Sequence, residues 1–78
     1  MNNEHGHSMV TITVDGKKVS IHRGNTPVSE IKNVGNVPLT YDLDALIEGK
    51  LVPLADGDSV TIKGEEIFVS HVKDSASS

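Results

Sequence analysis

The segment Val10-Thr11-Ile12-Thr13-Val14 alternates apolar and polar residues strictly, and Lys17-Lys18-Val19-Ser20-Ile21-His22 repeats the pattern after only two residues, Asp15-Gly16. In extended chain successive side chains point to opposite faces. Val10, Ile12 and Val14 therefore share a face with Val19 and Ile21, while Thr11, Thr13 and Ser20 lie on the other. Asp-Gly suits the positive φ angles of a type I′ turn, the connection whose twist matches a two-residue hairpin. The chain thus starts its folded part with a hairpin whose register and buried face are both specified.

After Arg23-Gly24-Asn25 interrupts the second strand, Thr26-Pro27 reads as a helix start, with Thr26 as the cap and Pro27 at the first helical position. Val28, Ile31 and Val34 supply one apolar stripe, whereas Ser29, Glu30, Lys32 and Asn33 are expected in water. Gly35 is placed to end the helix in a left-handed C-cap. Such a two-turn helix does not hold alone and must rest on the sheet.

Beyond Val37-Pro38, Tyr41 and Leu43 alternate with Asp42 and Asp44, and Ala45-Leu46-Ile47 extends the run to a turn at Glu48-Gly49-Lys50. Leu51-Val52-Pro53-Leu54 can be only a short or edge strand, because Pro53 has no N–H for a ladder. Ala55-Asp56-Gly57-Asp58 turns again, Ser59-Val60-Thr61-Ile62-Lys63 is a short strand, and Glu66-Ile67-Phe68-Val69-Ser70-His71-Val72 is the last. Ile67, Phe68 and Val69 are apolar on both faces, as in a central strand or one whose second face meets a partner. Two registers fit: Ile67 and Val69 inward, or Phe68 inward with Val72. The first is the preferred expectation.

Hairpin, helix and three further strands give an α+β domain: a mixed sheet of four to five strands with one short helix packed across it, in the order ββαβββ. That is the plan of a ubiquitin-like β-grasp. The folded part is expected over residues 9–72, with a disordered polar leader over 1–8 and a flexible small-polar tail over 73–78.

Composition narrows the function classes. With 78 residues, one Phe, one Tyr and no Trp, the core is a single modest one of Val, Ile and Leu, without walls for a deep cleft. The net charge is −4 and the Lys and Arg residues form no stripe, which argues against nucleic acid and against an anionic membrane surface. No apolar run approaches the roughly 20 residues that span a bilayer. There is no signal-peptide core and no cysteine, so the cytoplasm is the expected compartment.

Catalytic constellations are not legible. His22 and His71 are the histidines of the folded part, each in a strand with no nucleophile elbow nearby. If both lie on the outer sheet face, they form a pH-sensitive part of a binding surface. Asp42, Asp44, Asp56 and Asp58 do not follow the calcium-loop pattern, and His5-Gly6-His7 offers too few fixed ligands for a metal. Neither an enzyme nor a cofactor or metal is expected.

The segments Val10-Thr11-Ile12-Thr13-Val14-Asp15-Gly16, Thr26-Pro27-Val28-Ser29-Glu30-Ile31, Val37-Pro38, Tyr41-Asp42-Leu43, Leu54-Ala55-Asp56-Gly57-Asp58 and Glu65-Glu66-Ile67-Phe68-Val69 together resemble the bacterial multi-ubiquitin family over residues 9–72. The likeness rests on a pattern of positions and not on an invariant motif. It implies a monomeric protein modifier, partnered by ubiquitin-activating-like and conjugating-like enzymes, a JAB-type or other processing peptidase and target proteins. Anti-phage defence is one setting it implies. The tail departs from a Gly-Gly end: Asp74, Ser75, Ala76, Ser77 and Ser78 are small and slim, but they do not fit a sulfur carrier, so attachment requires an accepting enzyme or trimming near Asp74, Ser75 or Ala76. The expected interaction surface comprises His22, Phe68, Ser70 and Val72 with Thr11, Thr13 and Ser20 beside them, and Phe68 as its aromatic anchor. The alternative to a modifier is a non-covalent adaptor or scaffold domain using the same face or an edge strand.

Overall fold

The computed structural model describes residues 8–73. The expectations placed on residues 1–7, including His5 and His7, and on the tail residues Asp74, Ser75, Ala76, Ser77 and Ser78 lie outside the described residues.

The first hairpin forms as its sequence requires. Strands β1 (Met9–Val14) and β2 (Lys17–His22) pair antiparallel, with Val14 opposite Lys17. The two turn residues have φ values of 53° at Asp15 and 81° at Gly16, the left-handed pair that a type I′ turn needs. Ile12, Val14 and Ile21 are buried, and Val10 and Val19 pack partly against them.

The expected interruption after β2 is itself a strand. β3 (Gly24–Pro27) pairs antiparallel with β6 (Ser59–Ile62) in a separate two-stranded sheet. The positive φ of Gly24, 109°, turns the chain out of β2, and Asn25 and Thr26 then find backbone partners on β6. Thr26 is accordingly not a helix cap. It is fully buried, its hydroxyl donates to the Gly24 carbonyl at 3.0 Å, and Pro27 holds the N-cap position. The Val28 N–H instead donates to the Asp58 carbonyl across the β3–β6 pair, at 2.9 Å.

Helix α1 (Val28–Val34) turns Val28 and Ile31 into the core as its spacing dictates. Its end differs from expectation. Gly35 has φ −85°, and Asn36, at φ 60°, is the left-handed residue. Asn36 N–H donates to Asn33 O and Val37 N–H to Lys32 O, the paired bonds of a Schellman motif. Gly35 is needed for space: a Cβ there would lie 2.6 Å from Val14 Cγ1. Lys32, expected in water, is also corrected, being 2% exposed.

β4 (Tyr41–Ile47) and β5 (Lys50–Leu54) form the second hairpin, and β7 (Ile67–Val72) closes the main sheet in the order β2-β1-β7-β4-β5. β7 lies parallel to β1 and antiparallel to β4, so the sheet is mixed and β7 is its middle strand. Phe68 is paired with Val14 on one side and Ala45 on the other and is fully buried, which settles the register against Ile67 and Val69. Its phase agrees with its strand partners, since Val14 and Ala45, which flank Phe68 in the sheet, are themselves buried. The result is an α+β domain with a five-stranded mixed sheet and one short helix, compatible with a β-grasp. No helix among the described residues is long and apolar enough to cross a membrane.

Candidate interaction surface and tail anchor

With Phe68 inward, period-two alternation sends Ile67, Val69 and His71 to the face of the sheet opposite the helix. The same alternation brings Asp42, Asp44 and Leu46 there from β4, Leu51 and Pro53 from β5, and Thr11 and Thr13 from β1. Leu46 lies opposite Leu51, and Ile67 opposite Thr13. Continuing the Ala45–Phe68 register sets Ile67 beside Leu46. Leu46, Leu51 and Ile67 are 39%, 51% and 41% exposed, a continuous apolar strip across three strands. Next to it Asp44 stands between Pro53 and Val69, with its carboxylate only 13% exposed.

The four residues expected at the heart of the surface, His22, Phe68, Ser70 and Val72, are dispersed. Phe68 is in the core and cannot be an anchor. Ser70 is fastened to the first hairpin turn: its N–H donates to Asp15 Oδ1 at 2.7 Å and its hydroxyl donates to Asp15 Oδ2. Val72 is exposed, but opposite Tyr41 on the helix side. His22 ends β2 with Nε2 3.2 Å from Glu30 Oε2 of α1. Thr11, Thr13 and Ser20 are on the open face as expected. Leu46 and Leu51 were missed, although Leu46 is in phase with Asp42 and Asp44, and that phase was the available signal.

The two histidines do not meet. His22 sits opposite Met9 at the start of β1, whereas β7 runs parallel from Thr13 onward and carries His71 past the other end of that strand. His71 Nε2 lies 3.2 Å from the Asp44 carboxylate, and that hydrogen bond, with the Val72 carbonyl and the nearby charges of Asp44 and Asp42, raises its pKa above the usual 6.5.

At the exit of β7, Lys73 donates to Asp42 at 2.7 Å and to Asp56 at 3.5 Å. The bond to Asp42, with the charges of both carboxylates, raises its pKa. Asp56 also accepts from the buried Lys32 at 3.0 Å, and this bond and charge, with help from Lys73, lower its pKa. Lys32 further donates to the Leu39 carbonyl at 3.3 Å. Asp56 thus links the helix to the end of β7 through Lys32 and Lys73, Lys32 reaches the loop at Leu39, and Lys73 reaches β4 through Asp42.

Among the described residues no group of three or more His, Asp or Glu could hold a metal ion. One surface depression is lined by Ser8, Arg23, Gly24, Thr61, Ile62 and Lys63, two cations beside hydroxyls, backbone and one apolar side chain. Comparisons with protein-family models, with curated proteins and with solved structures give no match.

Proposed function

We propose that the chain is a ubiquitin-like protein modifier on a β-grasp frame, used in a bacterial ubiquitination-like pathway and attached through the residues after Lys73, directly or after trimming. The observation that supports this reading most is where the last strand ends. β7 is the middle strand of the sheet, and Lys73, the last described residue, is held at its end by Asp42 and Asp56. A modifier needs a rigid body that an enzyme can grip and a slim segment leaving it at a fixed point. The middle strand supplies the rigidity, and the ion pairs fix the point.

On this reading the domain performs no chemistry of its own. Activating-like and conjugating-like enzymes act on the tail, and targets or readers meet the body. The apolar strip of Leu46, Leu51 and Ile67 favours a second reading, a non-covalent adaptor that works through the open face alone.

Co-expression with such enzymes, followed by mass spectrometry, separates the two. A higher-mass adduct, an isopeptide or a trimmed terminus is expected, and truncation of residues 73–78 should abolish it. No adduct and no trimming would overturn the modifier reading. Adducts that persist after truncation would instead overturn the tail as the attachment element.

A further inference from the structure

The two edges of the main sheet are built differently. In β5 the register places Lys50, Val52 and Leu54 in hydrogen-bonded pairs with Ile47, Ala45 and Leu43, since residues flanking a two-residue turn bond to each other. The outward-facing backbone groups then belong to Leu51 and Pro53, and Pro53 has no N–H. That edge offers one complete rung. In β2 the same logic pairs Lys17, Val19 and Ile21 with β1, and the bond from Arg23 N–H to the Ser8 carbonyl continues that alternation. Lys18, Ser20 and His22 therefore present three successive pairs of N–H and C=O groups outward, with no proline among them. β3 does not cover them, because it pairs with β6.

Charge marks this open edge. The chain carries seven Lys and Arg against a net charge of −4, yet three of the seven, Lys17, Lys18 and Arg23, stand exposed on β2 or just after it. Two acidic side chains stand at the two ends of the same strand, so the local balance is three cations against two anions. Asp15 holds Ser70 of β7, and Glu30 faces His22 from α1. Val19, half-exposed on the helix side of the same strand, adds an apolar contact point between the charged ends. Lysine on an open edge disfavours pairing with a second copy of the same edge, since like charges would be brought together. It favours a strand of opposite charge.

We propose that β2 is a docking edge for an extended acidic segment of a partner protein, which adds to the sheet as a sixth strand beside Lys18, Ser20 and His22. Backbone bonds to the three open rungs supply the pairing, carboxylates meet Lys17, Lys18 and Arg23, and an alternate apolar side chain covers Val19. The inference does not depend on whether the chain is a modifier or an adaptor.

The test uses the full chain, isotope-labelled for NMR, and a blocked nine-residue peptide alternating Glu and Val, with a Lys/Val peptide as its charge-reversed counterpart. Amide shifts centred on Lys18, Ser20 and His22 are expected with the Glu/Val peptide, with binding that weakens several-fold between low and moderate salt. The doubly reversed variant Lys17→Glu/Lys18→Glu should bind that peptide about tenfold more weakly and gain affinity for the Lys/Val peptide. Ser20→Pro removes an outward N–H without touching the β1 ladder, and it should lose at least tenfold in affinity. Because that variant could fail to fold, the Glu/Val peptide with alternate N-methylated residues, which removes its own donors, should also lose binding to the unaltered chain. The proposal is overturned by no binding at millimolar peptide, by equal binding of the two peptides, by shifts centred on Leu46 and Ile67, or by full binding of the N-methylated peptide.

Discussion

The centre of the helix-side face and the open face of the five-stranded sheet carry the same kinds of residue and treat them in opposite ways. At the centre of the helix side Val14, Leu43 and Phe68 are fully buried, although Ile47, Val52 and Val72 at its margins stand 39–65% exposed; on the far side Leu46, Leu51 and Ile67 stand 39–51% exposed. Neighbours in one strand thus have different duties, Ile67 and Phe68 most plainly. A chain of 78 residues has little apolar surface to spare for its core, so leaving three large aliphatic side chains in water costs it solubility without stabilising the fold. The contrast separates residues that make the body from residues available to a partner.

The sharpest way to break that comparison is to truncate both neighbours in β7. Phe68→Ala should cost about 3–5 kcal/mol by loss of transfer energy and creation of a cavity, enough to unfold much of so small a domain. Ile67→Ala should cost less than about 1 kcal/mol. Urea unfolding measured on both variants checks this, and equal losses would mean that the open face belongs to the core. Next in size, Gly35→Ala should destabilise by about 1–3 kcal/mol, because the new Cβ enters the space held by Val14 Cγ1. The cause is testable in a double-mutant cycle: the penalty should shrink in a Val14→Ala background, and a simple sum of the two losses would disprove the contact.

Lys32 tests the same division with a charge. Its stem is buried on the helix side, and its ammonium reaches the exposed Asp56. Lys32→Met keeps the stem and should cost about 1–2 kcal/mol through the unpaired Leu39 carbonyl. Asp56→Ala should cost more than Lys32→Met, since it leaves a buried ammonium without its anion. The reverse order by thermal or urea unfolding would show that Asp56 is dispensable to the helix.

What could be read from the chain in advance follows from how local the cause is. The first hairpin, the apolar stripe of α1 and the edge character of β5 come from residues within a few positions, and the structure has all three. The strand Gly24–Pro27 was hidden because its partner, Ser59–Ile62, lies more than thirty residues away and its own four residues show no alternation. Gly35 was identified as the helix end for the wrong reason: nothing local announces that Val14 occupies the place of its Cβ. The burial of Lys32 depends on Asp56 in a distant loop. The register of Ile67-Phe68-Val69 was ambiguous because three apolar residues in a row carry no phase. Once that phase is known, the open face follows from alternation alone, which is why Leu46 was recoverable and Phe68 was misplaced.

The smallest expected effect concerns Asp44, the more buried of the two β4 carboxylates on the open face. Asp44, between Pro53 and Val69, is met by His71, while the other nearby charges, Asp42 and Lys73, are paired with each other. The hydrogen bond to Asp44 favours the protonated imidazole, so the folded-state pKa of His71 lies above its value in the unfolded chain, near 6.5. A raised pKa means the folded state binds the proton more tightly. The stabilisation is fully present below about pH 6.5 and is lost as the pH rises through the folded-state pKa. Following the His71 ring proton by NMR against pH should give a midpoint above 6.5, and Asp44→Asn should bring it back towards that value. Stability should decline slightly from pH 6.5 upward in the parent chain and not in His71→Gln. A midpoint at or below 6.5, or one unmoved by Asp44→Asn, would show that the pair is not formed in solution. Asp44 would then lie as a bare carboxylate among apolar neighbours, and the open face would suit a cationic partner in place of an apolar one.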